Sequence, residues 1–181
     1  MKSLAVFCGS SPGNRPAYTE LAVRTGELSA RRGLTLVYGG GRVGLMGSLA
    51  DAALAAGGRV VGVIPQMLID REVGHAGLSQ LHVVRTMSER KLLMGDISDA
   101  FLALPGGIGT MDELFEAWTW TQLGLHRKPC ALLNLDGYYD PLLEFLDRAV
   151  DEGFLQPQYR AALLVAADVE TALDQLATAV S

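Results

Sequence analysis

The sequence predicts an α/β, Rossmann-like three-layer fold, in which a parallel sheet carries helices on both faces. Short apolar segments alternate along the chain with longer segments whose apolar residues recur at helical spacing, a pattern typical of parallel β/α units. The apolar segments are continuous and do not alternate with polar residues. Strands of this kind are expected where both faces of a sheet are covered.

Each element follows from a local apolar pattern, and glycine or proline marks most boundaries. Strands are predicted at residues 4–8, 34–38, 59–65, 81–84, 100–104, 129–135 and 163–166, and helices at 16–32, 44–56, 86–97, 140–152 and from residues 110 and 168 onward. Residues 66–80 show little periodicity and are predicted to form a long loop, which in a compact domain is usually functional. No linker or repeat interrupts the pattern, so residues 1–181 are expected to form a single domain.

Composition narrows the class of protein. Of the 181 residues, 49% are hydrophobic and 19% charged, as in a folded globule, and the formal net charge is −5. This charge, without a basic block, argues against nucleic acid or an anionic membrane as a partner. No apolar run is long enough to span a bilayer, and Met1-Lys2-Ser3 leads directly into a strand. We therefore expect a cytoplasmic protein, with Cys8 and Cys130 as reduced thiols.

Three glycine-rich turns follow predicted strands, at Gly9–Gly13, Gly39–Gly44 and Gly106–Thr110. In an open parallel sheet such turns lie along one edge, where ligands bind. Glycine lets the backbone approach a ligand closely, and the N–H groups at a helix start attract an anion. The turns predict one crevice for a phosphorylated ligand. The alternative is that each glycine only allows a tight turn.

Several sharper motif interpretations fail on their chemistry. Gly39-x-Gly41-x-x-Gly44 matches the dinucleotide fingerprint, but the next strand ends in Val63-Ile64-Pro65 and no acidic residue follows it until Asp70. The ribose contact expected at the end of that strand is therefore missing. Gly9-x-Ser11-x-Gly13 is similar to a nucleophile elbow, yet Pro12 has no N–H for an oxyanion. No turn ends in the Gly-Lys-Ser/Thr of a P-loop. The three histidines are widely spaced, so no metal site is expected.

Two charged residues near helix starts could carry chemistry. Thr110-x-x-Glu113 can be a capping box, as can Thr86-x-x-Glu89. Glu113 also lies one turn beyond the Gly106–Thr110 turn, where the ribose of a bound sugar phosphate would lie. Arg90 has a fixed charge and a fork suited to oxyanions, although a solvated helix arginine is an equal alternative.

Six motifs are spread over nearly the whole chain: Phe7-Cys8-Gly9-Ser10-Ser11, Tyr38-Gly39-Gly40-Gly41, Gly44-Leu45-Met46-Gly47, Gly62-Val63-Ile64-Pro65, Met87-x-x-Arg90-Lys91 and Pro105-Gly106-Gly107-x-Gly109-Thr110-x-x-Glu113. The last two together are highly specific. With these motifs the chain resembles the LOG (Lonely Guy) family of cytokinin riboside 5′-monophosphate phosphoribohydrolases, which are often labelled lysine decarboxylases. Asp112 stands where many relatives have glutamate.

The resemblance implies hydrolysis of the N-glycosidic bond of a purine nucleoside 5′-monophosphate, without a metal or organic cofactor, in a homodimer or an assembly of dimers. It implies that Arg90 and Glu113 are catalytic. The residues expected to bind substrate are Gly9, Ser10, Gly41, Glu72, Lys91, Gly106, Gly107, Ile108, Gly109, Thr110, Asp112 and Thr119.

Two other functions compete with this expectation. A non-catalytic nucleotide-binding or carrier protein can share the same fold, since fold does not determine function. Lysine decarboxylation requires pyridoxal phosphate on a lysine. The chain has only Lys2, Lys91 and Lys128, and nothing around Lys91 is similar to a pyridoxal site.

Overall fold

The computed structural model describes residues 1–72 and 74–180, and all of their side chains except those of residues 70–72. The strands are β1 (Ser3–Phe7), β2 (Thr35–Tyr38), β3 (Val60–Pro65), β4 (Gln80–Val84), β5 (Ala100–Ala103), β6 (Cys130–Leu133) and β7 (Leu163–Ala166). The helices are α1 (Pro16–Arg31), α2 (Gly44–Ala55), α3 (Gln66–Glu72), α4 (Met87–Asp96), α5 (Ile108–Gln122), α6 (Asp140–Asp151), α7 (Pro157–Ala162) and α8 (Val169–Val180). A 3₁₀ turn at Leu135–Gly137 precedes α6.

The strands form one parallel sheet in the order β4-β3-β2-β1-β5-β6-β7, which confirms the predicted fold class. The order reverses between β1 and β5, whose register pairs Leu4 with Ala100 and Phe7 with Ala103. The turns that follow these two strands are therefore neighbours. This is the position at which doubly wound sheets bind ligands.

Two apolar layers enclose the sheet. Helices α1, α2 and α8 pack on one face, where Leu4 and Val6 of β1 point. Helices α4, α5 and α6 pack on the other, where Ala5 and Phe7 point. Because successive strand residues point to opposite faces, both positions must be apolar. This explains the continuous apolar segments of the sequence.

The structure corrects three local predictions. Residues 66–80 contain α3 and the start of β4 and are not one loop. The sequence does not indicate α3, because a seven-residue helix is too short to show clear periodicity. Helix α7 is also unpredicted. Helix α5 begins at Ile108 with Gly107 as its N-cap, so Thr110 lies inside the first turn. The capping-box interpretation of Thr110 and Glu113 is therefore wrong.

Other local expectations are confirmed. Thr86 is the N-cap of α4, and its hydroxyl accepts a hydrogen bond from Glu89 N at 3.1 Å. Cys8 and Cys130 are buried free thiols. Within residues 1–72 and 74–180, no helix combines the length and apolarity needed to cross a bilayer.

Candidate active site

Two cavities open at the reversal between β1 and β5. The inner cavity, about 210 Å³, lies between the end of β1, Gly39, Arg90 and the first turns of α5. The outer cavity, about 440 Å³, lies beside the β1–α1 turn and Tyr138. Gly9 and Gly107 line both cavities. The two spaces therefore meet at the glycine turns that the sequence placed on one edge.

The start of α5 forms one wall of the inner cavity, through Gly107–Thr110. Among the described residues no side chain caps this helix start, so the first-turn N–H groups remain available to an anion. Gly106 allows the close packing of this turn, because a Cβ there would lie 2.7 Å from Thr110 Cβ and 3.0 Å from Gly9 N. The backbone of β1 and the start of α5 could not approach this closely with a larger residue.

Arg90 is held rigidly beneath the cavity, with only 6% of its surface exposed. Its Nε donates to Val63 O at 3.1 Å, and its Nη2 donates to Gly39 O at 3.1 Å. These acceptors lie in β3 and at the end of β2. The structure thus excludes the solvated-helix alternative, since the guanidinium is anchored to the sheet edge.

Glu113 faces Arg90 from the second turn of α5. Its Oε1 lies 3.8 Å from Arg90 Nη1, and Glu113 is 9% exposed. A buried carboxylate and a buried guanidinium are each costly to desolvate, and they persist together because each offsets the charge of the other. The pair presents one positive and one negative group to a small enclosed space.

Cys8 completes the floor of the inner cavity. Burial raises the pKa of its thiol well above its usual value, and the negative charge of Glu113 raises this pKa further, against the opposing effect of Arg90. Cys8 is therefore a neutral thiol at physiological pH and contributes no charge to the cavity.

Lys91 and Asp112 form an ion-pair cluster that links α4 to α5. Lys91 Nζ lies 3.0 Å from Asp112 Oδ2 and also pairs with Glu116. Burial lowers the pKa of Lys91, but the hydrogen bonds to Glu116 and Asp112 outweigh it and raise the pKa overall. Neither Lys91 nor Asp112 lines the inner cavity.

Most of the remaining predicted site residues line one of the two cavities, and the others do not. Gly9, Ser10, Gly107, Ile108, Gly109 and Thr110 line the inner cavity, and Gly106 lines the outer one. Gly41 instead forms an isolated antiparallel bridge with Gly74, and Thr119 is exposed farther along α5. The side chain of Glu72 lies outside the described residues.

Sequence reasoning missed several residues of this edge. Met46, Met87 and Cys8 line the inner cavity, and Tyr138 lines the outer one. Cys8, Met46 and Met87 fall inside the motifs that carry the family resemblance, but their apolar character fits a core equally well. Tyr138 is marked only by the Tyr138-Tyr139 pair directly after Gly137.

A family model and the most similar relatives of known function point to the same protein family. A family model described as "Possible lysine decarboxylase" matches residues 46–176. The chain is 53% identical over 173 residues to the cytokinin riboside 5′-monophosphate phosphoribohydrolase of Rhodococcoides fascians, covering 95% of this chain and 87% of that protein. It is 48% identical over 175 residues to an enzyme of the same name from Arabidopsis thaliana, covering 97% of this chain and 81% of the relative.

A solved structure shares the fold at lower identity. The molybdenum cofactor carrier protein of Chlamydomonas reinhardtii superposes with a TM-score of 0.71 at 24% identity, over 98% of each chain. At this identity the similarity concerns the fold alone.

Proposed function

Because the chain belongs to the family of cytokinin riboside 5′-monophosphate phosphoribohydrolases, we propose that it hydrolyses the N-glycosidic bond of purine nucleoside 5′-monophosphates. The products are the free base and ribose 5-phosphate. The substrates are adenosine 5′-monophosphate (AMP) and its N6-substituted cytokinin analogues. Water is the only other reactant, and the cleavage involves no change of oxidation state, so the proposed chemistry uses no cofactor.

The start of α5 binds the 5′-phosphate in this proposal. The N–H groups of residues 107–110 have no partner within the helix and no side-chain cap, and these residues line the inner cavity. An α-helix rises about 1.5 Å per residue, so Glu113 lies about 6 Å along the axis from Gly109. This separation suits a phosphate at the helix start and a ribose beside the carboxylate.

Glu113 and Arg90 act on the two sides of the bond that breaks. As the C1′–N bond lengthens, its electron pair moves to the base and positive charge develops on the ribose, as in other glycoside hydrolyses. The Glu113 carboxylate stabilises this charge and takes a proton from water, whose oxygen bonds to C1′. That proton passes to the base nitrogen, while Arg90 stabilises the departing base.

The observation that carries the proposal is the Arg90–Glu113 pair, 3.8 Å apart in the wall of the inner cavity that also contains the α5 helix start. The test is to incubate the protein with AMP or N6-isopentenyl-AMP and to quantify free base and ribose 5-phosphate by chromatography. Release of both products in equal amounts is expected. A protein that binds AMP without releasing adenine would be a carrier and would contradict the proposal.

Assembly as a homodimer is part of the same proposal. Leu92, Leu123 and Leu125 are 49%, 65% and 70% exposed on α4 and beyond the end of α5. Trp120 is half-buried beside Leu92 and Leu125 and meets the His126 ring edge-on at 6.2 Å. A cluster of exposed apolar side chains favours burial against a second copy. We call this cluster the leucine patch.

The domain organisation and compartment are proposed on separate grounds. All seven strands of the described residues share one sheet, which supports a single domain over residues 1–181. Both cysteines are free thiols, which supports a reducing, cytoplasmic environment. The net charge of −5 supports a small-molecule substrate over nucleic acid or membrane partners.

A further inference from the structure

Two consecutive tyrosines donate hydrogen bonds to the turn between β5 and α5. Tyr138 Oη donates to Gly106 O at 2.7 Å, and Tyr139 Oη donates to Leu104 O at 2.6 Å. Between these acceptors, Pro105 O accepts from Gly9 N at 3.4 Å. Three successive carbonyl groups of the turn are therefore each held by a donor from another segment.

Holding a carbonyl also orients the next N–H group. A trans peptide is planar, so its N–H points opposite to its C=O. The peptide that joins Gly106 to Gly107 is trans. The Tyr138 hydroxyl, by fixing Gly106 O, therefore fixes the direction of the Gly107 N–H at the start of α5.

This N–H has few other constraints. Gly107 is exposed, and a Cβ built on it would meet nothing within 4 Å. Adjacent glycines have wide conformational freedom. A ligand that orders them on binding must offset the entropy that they lose, which lowers its affinity. An external hydrogen bond that holds the turn in advance reduces that cost.

Tyr138 is itself held in place. Its ring packs edge-on against Tyr18 at 5.7 Å and against Tyr139 at 4.9 Å between centroids. Tyr139 is 3% exposed, and its backbone N donates to Asn134 Oδ1 at 2.7 Å. The hydroxyl of Tyr138 therefore reaches Gly106 from a packed aromatic support.

We propose that Tyr138 is a positioning residue for phosphate binding, which acts by fixing the Gly107 N–H through the Gly106 carbonyl. The proposal rests on the proposed function in one respect, namely that the start of α5 receives the phosphate. Tyr138 touches the turn and takes no part in bond cleavage.

Tyr139 supplies a matched control. Its acceptor, Leu104 O, belongs to the peptide that joins Leu104 to Pro105, and proline carries no N–H. Loss of the Tyr139 hydroxyl leaves a buried carbonyl without its donor but releases no N–H of the turn. The two Tyr→Phe variants thus separate phosphate positioning from stability.

The experiment measures binding of ribose 5-phosphate by calorimetry to the wild type, Tyr138→Phe and Tyr139→Phe, together with kcat and KM for AMP. Tyr138→Phe is expected to raise Kd for ribose 5-phosphate and KM for AMP about fivefold, the usual effect of one lost neutral hydrogen bond, while kcat stays near the wild-type value. Tyr139→Phe is expected to lower Tm and leave Kd unchanged.

Unchanged Kd in Tyr138→Phe would overturn the proposal. Equal weakening in both variants would also overturn it, since the effect would then be general loosening, and so would a wild type that does not bind ribose 5-phosphate. Failure of the proposed function is seen separately, as a wild type that binds ribose 5-phosphate but releases no adenine from AMP.

Discussion

The Nη2 of Arg90 donates to the carbonyl oxygen of Gly39, 51 residues earlier in the chain, at 3.1 Å. The contact requires glycine, because a Cβ at residue 39 would overlap Nη2 and lie 3.0 Å from Arg90 Cζ. Gly39, the first glycine of the dinucleotide-like motif, therefore makes room for the Arg90 guanidinium. The orientation of Arg90 toward Glu113 depends on it.

Gly39→Ala is expected to displace the Arg90 guanidinium and to lower kcat/KM for AMP at least about tenfold. Arg90→Ala alone should lower it further. Because residue 39 acts through Arg90, the double variant should be no worse than Arg90→Ala. Additive losses in the double variant would show that Gly39 contributes through another contact.

Glu113→Gln should remove the negative charge while keeping the size of the side chain. If the carboxylate stabilises the ribose cation and accepts the water proton, kcat falls about a hundredfold or more. Binding of ribose 5-phosphate should persist, since the helix start is unchanged. The measurement is adenine release from AMP under saturating substrate.

Glu144→Gln is the matched control for this charge change, because Glu144 is exposed on α6, away from the inner cavity. It should retain wild-type kcat. If Glu113→Gln kept normal turnover, Glu113 would have no catalytic role. Its position in the second turn of α5 already excludes the capping role that the sequence also allowed.

The parallel sheet and its glycine edge were predictable because each element carries its own periodicity. Arg90 was identified as a candidate, but its anchoring was not, because its acceptors lie 27 and 51 residues away and are backbone carbonyls that any residue could supply. The start of α5 was misplaced for a similar reason. Gly107 is the N-cap but has no side chain to indicate it, so the sequence pattern favours the nearest hydroxyl, that of Thr110.

The leucine patch leads to a prediction about assembly. Leu125→Glu places a charge on a side chain that is 70% exposed, so it should leave the monomer folded and disrupt a dimer that buries this surface. Sedimentation velocity should then detect a monomer where the wild type is a dimer.

Phe154→Glu is the control for the assembly prediction, because Phe154 is 90% exposed beyond α6 and outside the leucine patch. It should leave the sedimentation coefficient unchanged. A Leu125→Glu protein that remains dimeric, or a Phe154→Glu protein that dissociates, would place the interface elsewhere.

Alkaline pH should destabilise the folded chain through its buried cysteine thiols and tyrosine phenols. Burial raises the pKa of Cys130 from 9.0 to about 12 and raises that of Cys8 even more. Above about pH 9 the unfolded chain loses these thiol protons while the folded chain keeps them, so the unfolded state binds fewer protons and the free energy of unfolding falls as pH rises. This stabilisation is fully present below pH 9 and is lost toward pH 12.

Urea unfolding between pH 8 and pH 10.5 should show this decline in the free energy of unfolding. A Cys8→Ala/Cys130→Ala variant should show a shallower decline. Buried Tyr38 and Tyr139, whose phenol pKa values burial also raises, account for the slope that remains. Equal slopes in the two proteins would mean that the thiols do not contribute.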